Sequence, residues 1–135
     1  MIEKWEGAIR EFGFENCVKA EEIEIYLSAH TYEDDKISRE EIIQSEYLML
    51  HEIVEVCCLK RKGLKITKDV IMNNIDEVYE CHLEAMEREI DYARKNGDEI
   101  WVMRRVRDLK SYLDDLYLPT NLRQRVLKLI EKYGD

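Results

Sequence analysis

The chain has 135 residues, 45% apolar and 38% charged, with one proline and five glycines. That balance excludes a disordered chain and a turn-rich all-β fold, and it predicts a single all-α domain over 1–135 with strongly charged outer helix faces. The net charge of −9 opposes phosphate backbones, so nucleic acid is not an expected partner.

A first helix is predicted from Ile2 to Phe12, with Trp5, Ile9 and Phe12 on one side and Gly13 as its stop. The opening MIEKWEGAIR lacks an apolar signal core, and no run approaches a membrane span. No membrane partner and a cytoplasmic setting are therefore expected. Asn16 can cap a second helix through about His30 that turns Ala20, Ile23 and Leu27 inward, although its IEIYL stretch also alternates like a strand. The polar TYEDDKI that follows reads as a loop, and Glu33, Asp34 and Asp35 lack the alternating ligands and glycine of a calcium loop.

Ser38 and Glu41 form a capping box for a third helix, which should reach Lys62 and stop at Gly63. Thr67 can cap a fourth helix to Lys95, with Gly97 beyond it. Asp98 can cap a fifth that ends before Pro119. Thr120 or Asn121 opens a last helix to Tyr133, with Leu122, Val126, Leu129, Ile130 and Tyr133 as its apolar stripe. The short links make neighbouring helices antiparallel, so the predicted architecture is an up-and-down antiparallel bundle of five to six helices.

The four cysteines, Cys17, Cys57, Cys58 and Cys81, have no CxxC spacing. They are expected to be reduced, small core residues. Residues 1–100 carry 13 Lys/Arg against 25 Asp/Glu, and residues 101–135 carry 8 against 5. The basic C-terminal third either complements the acidic body within the fold or meets an acidic partner.

Helical periodicity places a polar residue on the core face of each of three successive helices: Glu46 on the third, His82 and Glu89 on the fourth, Arg105 on the fifth. Levels counted from the turns set Glu46 opposite His82, Glu89 opposite Arg105 and Tyr112 opposite His82. Buried charges need partners, so Glu89–Arg105 is the expected ion pair and Glu46–His82 the second pair, with Tyr112 as a hydrogen-bond donor. Two readings follow. The set is a satisfied network that fixes helix pairing, or it lines a pocket where Glu46 and His82 hold a divalent metal and act as catalytic groups while Glu89, Arg105 and Tyr112 bind a small anionic ligand. The second reading makes the protein a metal-dependent hydrolase.

HEIVE, residues 51–55, offers a further metal site. His51 and Glu55 lie one helical turn apart and can share an ion, with His30 as a third ligand. Position 55 is Glu, so the two-histidine chelation of HExxH is ruled out, and the pair falls at the polar edge of its helix; Leu48 and Leu59 share that side, so another helix can cover it, and a simple surface hydrogen bond is the alternative. Glu52 and Glu55 also form ExxE, as do Glu84 and Glu87; such pairs surround magnesium in helical nucleotide pyrophosphatases, but both lean outward on the helical wheel. No phosphate loop, dinucleotide fingerprint or GxSxG is present. The non-enzymatic alternative is an interaction module with a protein partner, docking through Trp5, Phe12 and Phe14 unless those rings seal the bundle end.

Overall fold

The structure, a computed structural model, describes residues 1–31 and 38–134; most of the expected acidic loop, including Glu33, Asp34 and Asp35, lies outside the described residues. The described residues are all-helical, with eight α-helices and no strand: α1 (Ile2–Glu11), α2 (Ala20–Leu27), α3 (Arg39–Ile43), α4 (Glu46–Arg61), α5 (Val70–Asn73), α6 (Ile75–Lys95), α7 (Glu99–Tyr112) and α8 (Arg123–Tyr133). A 3-10 turn over Thr120–Leu122 leads into α8.

The count exceeds five to six because two predicted helices are broken. Ser38 caps as expected, its hydroxyl accepting from Glu41 N–H at 3.2 Å, but α3 ends after five residues. Ser45 then adopts extended backbone and caps α4, accepting from Leu48 N–H at 3.3 Å. A serine side chain that satisfies an orphan N–H favours a fresh helix start over continuation. The fourth predicted helix breaks at Asn74 (φ −141°, ψ 48°), which separates α5 from α6 and whose side-chain amide bonds Val70 O at 2.9 Å. Its start is at Val70, not near Thr67.

Other boundaries shift by a few residues or hold. The second helix starts at Ala20, where Glu22 accepts from the Lys19 N–H at 2.8 Å. Asp98 caps α7 as expected, accepting from Trp101 N–H at 3.1 Å. The links after α4 and α6 turn at Gly63 (φ +85°) and Gly97 (φ +75°). Each left-handed glycine lets the next residue's N–H fold back on the helix, Leu64 to Leu59 O and Asp98 to Ala93 O.

Helix α4 is the centre of the packing. It contacts α1, α2, α3 and, most extensively, α6, and eleven of its sixteen residues are buried. One apolar cluster joins Trp5, Ile9, Ile23, Ile53, Val56 and Leu59. Another joins Leu83, Met86 and Ile90 of α6 to Val106 and Leu109 of α7 and Val126 and Leu129 of α8. Trp5 is fully buried, Phe12 stacks edge-on against Tyr92 at 5.4 Å, and Phe14 lies under the Arg88 guanidinium. Trp5 is thus part of the core, while Phe12 and Phe14 pack against it half-buried. Lys132 of the basic C-terminal third pairs with Glu87 of the acidic body at 3.0 Å.

The cysteines correct the sequence reading. They are not free thiols: Cys17 is bonded to Cys57 and Cys58 to Cys81. The adjacent pair on α4 thus reaches in two directions, to the segment after α1 and to α6, because neighbouring helix positions differ by about 100°. Cys57, Cys58 and Cys81 are buried as expected of small core residues, and Cys17 is half-buried. No helix among the described residues is long and apolar enough to cross a membrane.

Candidate metal centre

Consider first what α4 offers. The run LMLHEIVEVCCL, residues 48–59, is covered on nearly every side, so His51 and Glu55 are buried with the apolar residues and Glu52 is half-buried. His51 is 2% exposed and Glu55 6%. They sit one turn apart, and His51 Nε2 lies 3.0 Å from Glu55 Oε1. Helix α6 adds His82, whose Nδ1 is 3.0 Å from the same Glu55 oxygen and 3.1 Å from His51 Nε2. One nitrogen from each imidazole and one carboxylate oxygen therefore make a nearly equilateral triangle.

Each corner is held from behind. His51 turns Nδ1 to Glu89 Oε1 at 2.8 Å. Glu89 is fully buried and also receives Trp101 Nε1 at 2.6 Å and Arg105 Nη2 at 3.1 Å. Arg105 Nε is 2.9 Å from Glu89 Oε2, an ion-pair contact in which the N–H is not aimed at the oxygen. His82 Nε2 meets the Tyr112 hydroxyl at 2.7 Å. Tyr26 of α2 donates a short hydrogen bond to Glu55 Oε2. Four helices thus contribute: α2, α4, α6 and α7.

The electrostatics follow from this crowding. Burial by itself would lower the His51 pKa, but hydrogen bonds and charge from Glu55 and Glu89 overcome it and raise the pKa to about 10. Burial works against Glu55 and Glu89 in the same way, and their bonds to His51, with His82 helping Glu55 and Arg105 helping Glu89, hold both carboxylates below the ordinary range. His82 is pushed down, chiefly by burial. Without a metal, then, His51 is an imidazolium that donates to both carboxylates. Glu52 is half-buried and its pKa is raised to about 7, first by burial and then by the Glu55 charge.

A divalent ion fits the same geometry. In a tetrahedral shell with bonds of 2.0–2.2 Å, ligand atoms lie about 3.3–3.5 Å apart. The triangle edges of 3.0, 3.0 and 3.1 Å need only a slight expansion. An ion would displace the proton on His51 Nε2, leaving Nδ1–H on Glu89. At His82 the proton would sit on Nε2, with Tyr112 accepting, since a hydroxyl can reverse its role. Beside the triangle is a cleft of about 620 Å³, into which Glu52, Tyr79, Asp108 and Tyr112 also face.

The expected site residues fare differently. Glu89 and Arg105 are paired as predicted, and His82 and Tyr112 meet as predicted. Glu46 does not join them: it is exposed at the first position of α4 and accepts from the Tyr92 hydroxyl at 3.2 Å. The arc on which Glu46 was placed is otherwise right, since Met49, Leu50, Ile53 and Val54 are buried, but Glu46 stands at the first position of α4, where its carboxylate is exposed; Glu55 takes the place assigned to Glu46. His51 and Glu55 are not at a polar edge, and the third side chain that could share an ion with them is His82; His30 is exposed. Of the two ExxE turns, Glu84 pairs with Arg61 and Glu87 with Lys132, on the outer surface. The Arg105 guanidinium, expected to receive an anion, is occupied by Glu89, by Asp108 at 2.9 Å and by the Met86 sulfur at 2.8 Å.

Leu48 and Leu59 pointed to cover of the His51 side, but the preferred reading, a surface hydrogen bond, underestimated how deeply His51 is buried. The usable signal was the apolar character of α4 on all sides, which leaves no polar edge for a histidine to occupy. No protein-family model, curated protein or solved structure matches the chain.

Proposed function

We propose that His51, Glu55 and His82 form a divalent transition-metal centre, and that the protein is a metal-dependent hydrolase working at the adjoining cleft. The observation that carries this reading is the convergence of three donor atoms at 3.0–3.1 Å, each backed by an outer partner. Two imidazoles and one carboxylate are a donor set used by catalytic zinc, which keeps a further position for water or substrate. Packing of α4 on α6 and of α6 on α7 brings inward side chains of different helices together.

The bound ion would supply Lewis acidity to a water and to a substrate carbonyl. Glu52 is the group for the proton. It lines the cleft on the turn that carries both His51 and Glu55, and it makes no hydrogen bond or ion pair with the described residues. It would take a proton from the attacking water as the new carbon–oxygen bond forms. It would return that proton to the leaving group as the scissile bond breaks. Glu89, held by Trp101 and Arg105, orients His51, and Tyr112 orients His82.

Titration of the purified protein with zinc, manganese and iron, followed by elemental analysis, tests the centre. One equivalent of tightly held metal is expected, lost in His82→Ala. Absence of binding to the wild-type chain would falsify it.

The second reading is a non-catalytic interaction or assembly module whose buried network is structural. One observation favours it: the His51 and Arg105 cations balance Glu55 and Glu89 without any ion. Unchanged thermal stability when metal is added or removed with a chelator would support that reading.

A further inference from the structure

We infer that the cleft beside His51, Glu55 and His82 takes an uncharged carbonyl compound with an apolar body, such as an amide or ester of an aliphatic acid. The way the carbonyl would be held rests on the metal reading above; the choice of body rests on the cleft walls alone.

The first argument is charge. Among the described residues lining the cleft, Arg105 is the one Lys or Arg, and it is already matched to Glu89 and Asp108. Glu52 and Asp108 face the same space. A phosphate or carboxylate entering there would meet acids without a spare cation among these residues, and a buried or half-buried charge without a partner is costly. An uncharged carbonyl carries no such penalty and still offers an oxygen to an ion.

The second argument is shape and surface. Away from the triangle, the walls are Leu27, Ile42, Leu48, Ile71 and Val78, from five different helices. The volume of about 620 Å³ falls in the range of small-molecule sites, which combine an apolar lining with a few convergent polar groups. The polar groups are gathered on the α4, α6 and α7 side; the apolar walls add residues of α2, α3 and α5 to α4 and α6. A ligand with a reactive carbonyl at one end and a hydrocarbon body at the other satisfies both.

Calorimetric titrations separate this inference from the metal reading. The metal-free full chain is titrated with straight-chain amides from butanamide to octanamide, and the cobalt-loaded chain with the matching hydroxamic acids. Affinity should rise about fourfold per added methylene in both series, the factor that corresponds to ~0.8 kcal/mol. Ile71→Trp, which fills the apolar wall, should flatten both series while cobalt still binds one to one with an unchanged visible spectrum; Val78→Phe serves if that variant does not fold. No binding, affinity independent of chain length, or tighter binding of hexyl phosphate than of hexanamide to the metal-free chain would overturn the inference and leave the metal centre standing. A chain-length dependence in a protein that binds no cobalt would sustain the inference and remove the metal.

Discussion

Two turns of this molecule share one spacing and have opposite fates. Glu52 and Glu55 on α4 and Glu84 and Glu87 on α6 both read ExxE. The first turn faces a cleft, and its Glu55 is buried against two histidines and a tyrosine. The second lies on the outside, and its acids pair with Arg61 and Lys132 from other helices. The spacing sets only that two carboxylates share a helix face. What those carboxylates become depends on which helices cover that face, and α4 is covered by α2 and α6 where the outer face of α6 is not.

The largest expected effect breaks the comparison at its centre. Glu55→Gln should lower zinc affinity by more than the roughly 10–100-fold that loss of an outer partner costs, measured by competition with a chelating dye. Glu84→Gln should leave it unchanged. Equal effects of the two would mean that the buried triangle has no special role.

Next comes Glu89, the fully buried acid behind His51. Glu89→Ala leaves Arg105 and His51 as buried cations and should cost roughly 3–5 kcal/mol in chemical denaturation. Arg61→Ala, which frees Glu84 at the surface, should cost about 0–1 kcal/mol. The disulfides sharpen the contrast from the packing side, since Cys58–Cys81 ties α4 to α6 next to Glu55 and His82. Reduction of each bridge should destabilise the fold by ~2–4 kcal/mol in the chain-entropy picture, seen as a lower midpoint after treatment with a thiol.

A smaller effect concerns pH. His51 faces Glu55 on its own helix, Glu89 and His82 on α6, and Arg105 on α7. Its pKa is raised from 6.5 to about 10 in the metal-free fold. The stability that this contributes is fully present below the unfolded value near 6.5 and is lost as pH rises towards about 10. The ring ¹⁵N shifts of His51 should therefore show an imidazolium at pH 8 in the metal-free protein. A neutral ring at that pH would contradict the network as drawn. The smallest effect is expected at Glu46: Glu46→Gln should not alter metal affinity, because its carboxylate lies at the exposed start of α4.

Much of this was legible in the chain. The all-α class followed from few glycines, one proline and long 3.6-residue periodicity. The Asp98 cap, the Gly63 and Gly97 stops and the Glu89–Arg105 pair all followed from rules that act within a turn or between helices joined by a short link. Glu46 shows where such rules fail. It lies on the same arc as the buried Met49, Leu50 and Ile53, yet the Ser45 cap makes it the first residue of α4, and at that end its carboxylate is exposed. His51 shows a different failure. A helical wheel assigns every helix an outside, and α4 has almost none.

By itself, then, the sequence determined the helical class, many helix ends and the inward placement of Glu89 and Arg105, because these depend on propensity, capping and period along the chain. Only the tertiary structure decided that His51 and Glu55 meet His82, that Cys57 and Cys58 reach different partners, and that Arg105 is already taken. Each of these is a distance between helices, fixed by how whole faces pack, and no count of residues along one helix contains it.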